Sequence, residues 1–182
     1  MLGLWDKIAK AFGKSGKELQ NTISSIDQVL GQGNDNEILI AVSEGVQRKI
    51  NASGIDGLTQ AERVFHYVYL LEAEVNNGGF DQYFFNSAGN HTQEVIGALE
   101  EIGANYTAQL VRDAIGVFPG GTAPRDRNQR QEILLEMGQA ESELLNQVDS
   151  KFYEYRDDLS ALMIAFVKQC REQFGLWESP PN

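Results

Sequence analysis

Apolar residues recur along this chain at steps of three and four, the spacing that gathers side chains on one side of a helix. Val64, Tyr67, Val68, Leu71 and Val75 form the clearest series, with Glu62, Glu72 and Glu74 nearer its polar margins. Thr59 followed by Glu62 has the form of a capping box: the hydroxyl takes the amide three residues on and the carboxylate reaches back. A helix is therefore predicted to begin at Gln60. Asn76-Asn77-Gly78-Gly79 closes the series, because Asn and Gly tolerate the left-handed backbone of a helix end, and a sharp turn is predicted there. Phe80, Tyr83 and Phe84 restart the spacing as a short aromatic helix.

The same period recurs elsewhere. Ile38, Leu39, Val42, Val46 and Ile50 predict a helix to about Asn51, followed by a turn over 53–57. Val95, Ile96, Leu99 and Ile102 predict one from about Thr92 that stops at Gly103. Ala108, Val111, Ala114 and Ile115 predict another over 105–117, ended by Pro119-Gly120-Gly121. A longer segment starts near Asp126, with Ile133, Leu134, Met137, Leu144, Leu145 and Val148 inside; Gly138 leaves open whether it is whole, bent or split. The last helix, near 158–174, buries Leu159, Leu162, Met163, Phe166, Val167 and Cys170. Nowhere does period-two alternation persist, so the expected fold is all-α, a compact domain of about seven to nine helices.

The N-terminus follows a different pattern. In residues 1–17, Leu2, Leu4, Trp5, Ile8, Ala9 and Phe12 share one arc of a helical wheel while Lys7, Lys10, Lys14 and Lys17 share the other. Such a basic amphipathic helix suits weak contact with an anionic membrane surface through Leu4, Trp5, Ile8 and Phe12, or docking on the body of the protein or on a second copy in a homodimer. A second periodic segment, with Leu19, Ile23, Ile26, Val29 and Leu30, precedes the glycine- and asparagine-rich run 31–36, the best linker candidate. The expected division is 1–34 as N-terminal helices and linker, 35–176 as the main domain and 177–182 as a tail.

Charge sharpens this picture more than size does. The 182 residues suit one domain, and 42% hydrophobic with 23% charged residues is ordinary. The sign is not: 26 acids against 15 bases give −11, and since the first 17 residues carry +3, the remainder carries −14. Excess carboxylates repel phosphates, so direct nucleic-acid binding is not expected and a basic partner is favoured, unless the acidity serves solubility alone. The lone cysteine, Cys170, excludes an internal disulfide and fits a reducing, cytoplasmic compartment. No apolar run approaches membrane-spanning length, so attachment to a membrane would be peripheral.

Candidate chemistry is sparse. Glu62 with His66, and His91 with Glu94, could each offer two metal ligands, yet neither the HExxH nor the Glu-x-x-His pattern is present. No phosphate-binding glycine loop, nucleophile elbow or CxxC occurs, so no enzyme activity, metal or cofactor is expected. Three carboxylates, Glu72, Glu74 and Asp81, crowd the polar turn; they repel one another and the negative end of the helix dipole unless a partner such as Arg63, or an external cation, relieves them. If the segment from Asp126 is one helix, Glu132, Glu136 and Glu143 share a narrow arc with axial steps of roughly 6 and 10 Å. Phosphates of one DNA strand recur about every 3.4 Å, so those carboxylates could occupy some phosphate-like positions. Glu154, Asp157 and Asp158 continue the negative character.

The run Leu71-Glu72-x-Glu74-Val75-Asn76-Asn77-Gly78-Gly79-Phe80-x-Gln82-Tyr83-Phe84-x-Asn86-Ser87, preceded by Glu62-Arg63, resembles the signature of a bacterial helical family named after its DNA-mimic protein member. Ala98-Leu99-x-x-Ile102-Gly103-Ala104, Phe118-Pro119-x-Gly121 and Asp149-x-x-Phe152-Tyr153 fit the same pattern, so the likeness covers roughly 35–174. The resemblance implies a protein-binding function: an acidic surface that occupies the nucleic-acid-binding site of a basic protein, such as a transcriptional regulator. Two alternatives stand beside it, an immunity or antitoxin-like inhibitor of a basic nuclease and a metal-dependent enzyme using His66 and His91.

Overall fold

The computed structural model describes residues 26–175, in which eight α-helices and no strand are found. The expected amphipathic helix over 1–17, most of the second periodic segment and the tail lie outside the described residues. α1 (Ile26–Gln32) leads into α2 (Asp35–Ser53), and the polar run between them serves as a cap. Asn34 accepts the amide of Glu37 at 3.2 Å while the Glu37 carboxylate accepts that of Asn34 at 3.2 Å. A 3₁₀ turn (Ile55–Gly57) then feeds α3 (Gln60–Phe85), followed by α4 (Thr92–Glu101), α5 (Asn105–Ile115), α6 (Arg127–Leu135), α7 (Gln139–Phe152) and α8 (Leu159–Gln169).

α3 is the axis of the fold and packs against α2, α4, α6, α7 and α8. Its predicted apolar side is the core: Val68, Leu71 and Val75 have no exposed surface, and Val64 and Tyr67 are buried. Each such side chain contributes about 1.5–3 kcal/mol of burial. Aromatic rings continue the core through the distal half, where Phe84 meets Phe118 edge-on at 4.9 Å and Phe80 meets Phe152 edge-on at 5.9 Å.

The turn predicted at 76–79 is present as a break within α3: the helix runs through Asn76 and Asn77, Gly78 and Gly79 are non-helical, and a short aromatic helix resumes at Phe80 and ends at Phe85. Of the alternatives open for the segment from Asp126, the split one holds: Glu136 caps the end of α6 and Gly138 precedes α7, so Glu132, Glu136 and Glu143 do not share one helical arc. Two expectations need correction. Glu62 is not marginal but wholly buried; it completes the capping box with Thr59 at 3.0 Å and pairs with the Lys49 ammonium of α2. The later helices are also shorter than expected: α8 ends at Gln169, and a 3₁₀ turn (Arg171–Gln173) finishes what reads as a longer helix, while α5 ends at Ile115.

Candidate acidic interface around a helix kink

The kink in α3 follows from backbone geometry that only glycine supports. Gly79 lies at φ 73°, ψ −176°, a region closed to side chains, while Gly78 at φ −170° is extended. Breaking the helical ladder frees an amide and a carbonyl, and α7 with the loop after it supplies both partners. Asp149 accepts the Phe80 amide at 2.8 Å, and the Tyr153 hydroxyl donates to the Val75 carbonyl at 2.9 Å. Polar side chains around the bend satisfy one another: Asn77 donates to Gln82 at 2.9 Å, and Gln82 and Asn86 donate to Glu74 at 2.7 and 2.9 Å. Asn76 donates to the Tyr155 hydroxyl at 2.5 Å, and Tyr155 stands close enough to Glu72 to favour its ionised form. Tyr155 holds a left-handed backbone, φ 48°, a strained state for a residue with a side chain.

Eight of the nine predicted acids divide into three groups. Glu72 and Asp158 lie close enough to repel, as do Asp81 and Asp149, and these two pairs flank the kink. Burial raises the pKa of Glu72 and of Asp149, and each neighbouring carboxylate raises it further. Glu74 and Asp157 turn inward: Glu74 takes the amides of Gln82 and Asn86, and Asp157 accepts the Thr107 amide of α5 at 2.8 Å. Glu132, Glu136 and Glu143 are exposed on α6 and α7, and no contact ties them to the kink. Arg63, the expected internal partner, instead donates to the Leu58 carbonyl at 2.6 Å. Among the described residues four ion pairs form, and of the nine predicted acids only Glu154, with Arg156, takes part in one.

A family model described as DMP19-like protein matches residues 56–170, more than half of the chain. The chain belongs to the DMP19-like protein family. Searches of curated proteins and of solved structures return no match. The part that the DMP19-like family shares begins just before the α3 cap and ends just after α8, so it contains the whole kink and every acid around it.

Two features of this DMP19-like domain escape its sequence pattern. Arg130 reads as part of a polar helix start, yet it has no exposed surface. Asp149 shows itself in sequence only as one member of a motif, without a role. Tyr153 and Tyr155, 48% and 42% exposed, join the acids in forming the surface at the kink.

The histidines of this DMP19-like domain sit apart from the kink. His91 packs its ring on Tyr67 at 5.2 Å, and Tyr67 lies 6.0 Å from His66. Glu62 is turned to Lys49 and Glu94 to Arg125, and among the described residues no group of three or more His, Cys, Asp and Glu side chains could hold a metal ion. Burial, and then His91, hold the pKa of His66 down to about 4. Above pH 6.5 both folded and unfolded states keep His66 neutral; below it the unfolded chain binds a proton that the fold refuses. Stability is therefore expected to fall as pH drops from 6.5 towards 4, by at most about 3 kcal/mol from this residue. Urea denaturation at stepped pH checks this, and His66→Gln should flatten the slope. An unchanged slope would remove the assignment.

No helix among the described residues is long and apolar enough to cross a membrane.

Proposed function

We propose that this chain is an acidic protein-binding domain that places carboxylates where a basic, nucleic-acid-binding protein would otherwise meet phosphates. The observation that carries this is the uncompensated charge: residues 26–175 hold 23 carboxylates against 11 Lys and Arg, and eight of the nine predicted acids lack a cationic partner among the described residues. A solvated face needs no organisation, whereas here Asp81, Asp149, Glu72 and Asp158 surround a kink fixed by Gly79. Exposed Tyr153 and Tyr155 lie among them, and tyrosine is enriched where interfaces concentrate their binding energy. Family membership supports the same reading. The partner class that fits best is a transcriptional regulator.

Immobilised full-length protein should capture a basic DNA-binding protein from a bacterial lysate, and duplex DNA should compete it off. The combined substitution Asp81→Asn, Glu132→Gln, Glu136→Gln and Asp158→Asn should weaken capture at least about tenfold, and raising salt from 0.1 to 0.5 M should do the same. Asp158→Asn retains an oxygen for the α8 cap, so folding should survive. Capture indifferent to DNA, to salt and to the four substitutions would refute the proposal. Recovery of a basic nuclease instead would replace the regulator with an enzyme inhibited by the same face.

A further inference from the structure

Beside the kink, α2, α3 and α8 leave a cleft of about 290 Å³. Leu39 and Ile40 of α2 and Tyr69 and Ala73 of α3 line it with apolar surface, and Glu72 with Asn76 closes one side. Glu72 is the acid of this cleft. The Tyr155 side chain lies beside it, no lysine or arginine among the described residues pairs with it, and Asp158 adds repulsion. A partly dehydrated carboxylate beside another acid is held at a cost that an arriving cation would remove. The apolar walls restrict which cation. A small hydrated ion gains nothing from Leu39 and Ile40, whereas lysine and arginine carry an aliphatic stem that such surface covers while the charged end reaches a polar group. Tyr69 adds an aromatic ring in the same cleft, a favourable neighbour for a cation.

We propose that this cleft takes one arginine or lysine side chain of the protein partner, its stem against Leu39, Ile40 and Ala73 and its charged end on the Glu72 carboxylate. The proposal rests on the acidic-interface reading and gives it an anchor: the dispersed acids attract a basic surface, and the cleft fixes where one of its residues enters. Specificity then resides in a pocket that DNA itself would have no means to fill.

The test titrates full-length protein with N-acetyl-arginine N-methylamide and its lysine counterpart, using the norleucine analogue as a neutral probe of equal stem, and follows backbone amide shifts by NMR. Saturable shifts at Ile40, Glu72, Ala73 and Asn76 are expected with the cationic probes, and binding at least about fivefold weaker with norleucine. Glu72→Gln should weaken the cationic probes by a similar factor, Ala73→Leu should fill the cleft and abolish binding, and Asp113→Asn on α5 should change nothing. Equal binding of norleucine, undiminished binding to Glu72→Gln, or shifts spread evenly over all acidic positions would overturn the proposal. The two readings fail separately. A basic protein captured as well by Ala73→Leu as by the parent would sink the cleft and leave the interface standing. Probes that saturate the cleft of a chain that captures no basic protein would do the reverse.

Discussion

Arg130→Met is expected to lower unfolding stability by about 3–5 kcal/mol, because five acceptors lose a charged donor at once and a hydrogen bond to a charged group is worth about 1.5–3 kcal/mol, part of which water restores. Arg130 has no exposed surface and no carboxylate partner; five oxygens take its five N–H groups. Its Nε donates to the Phe84 carbonyl at 2.8 Å, one terminal nitrogen to the carbonyls of Pro124 and Arg125, each at 2.8 Å, and the other to the Asn86 carbonyl at 2.9 Å and the Asn90 side chain at 2.6 Å. Phe84 and Asn86 lie at the C-terminus of α3, where unpaired carbonyls and the negative end of the helix dipole favour a cation. Methionine would fill much of the space while withdrawing the donor from all five acceptors, of which the Asn86 carbonyl keeps a second one in the Gly89 amide. Arg130→Lys should rescue little, because a compact ammonium with three donors cannot span acceptors arranged for a planar fork. Gly89 belongs to the same joint, since a Cβ there would stand 2.8 Å from Arg130 Nε. Urea denaturation of the two variants checks this, and a loss below about 1 kcal/mol for Arg130→Met would show that water replaces the guanidinium.

Arg130 also shows where sequence stops informing. The Thr59 and Glu62 cap, the core side of α3 and the end of α4 near Gly103 are legible because each depends on residues within a turn or two. Four of the five acceptors of Arg130 are backbone oxygens, identical in every residue, and three of the five lie 40 or more positions away. Glu62 looks marginal until Lys49, 13 residues earlier, is seen beside it. The acidic surface is obscure for a related reason: no packing periodicity organises exposed carboxylates, so only the fold shows that Glu72 approaches Asp158 and that Glu74 is absorbed by Gln82 and Asn86. Gly138 was ambiguous on propensity alone, because one glycine inside a helix costs only about 1 kcal/mol relative to alanine. Family membership narrows the function further than the isolated residues do.

Gly79→Ala should be about as damaging as loss of Arg130, and it should also disturb binding. Two costs add. A residue with a side chain at φ 73°, ψ −176° is strained by about 1–3 kcal/mol. The new methyl would stand 2.3 Å from Asp149 Oδ2 and 2.9 Å from its Cγ, so Asp149 must leave. Its departure forfeits the 2.8 Å bond to the Phe80 amide, and a hydrogen bond to a charged group is worth about 1.5–3 kcal/mol. A total of about 3–5 kcal/mol follows. Gly78→Ala is the control: its backbone is one any residue adopts, and the added methyl meets only the side chain of Gln82, so the expected loss is smaller. Asp149→Ala in the Gly79→Ala background separates the costs, because it relieves the collision and leaves the strain. Asp149 and Asp81 lie on one side of the bend, Glu72 and Asp158 on the other, so a relaxed kink shifts the pairs relative to each other without removing any charge. Gly79→Ala should therefore weaken capture of the basic partner under conditions where the variant remains folded. Equal stability of the Gly78 and Gly79 variants, with partner capture unchanged, would mean that the bend is held by the packing of α7 and not by the glycine backbone.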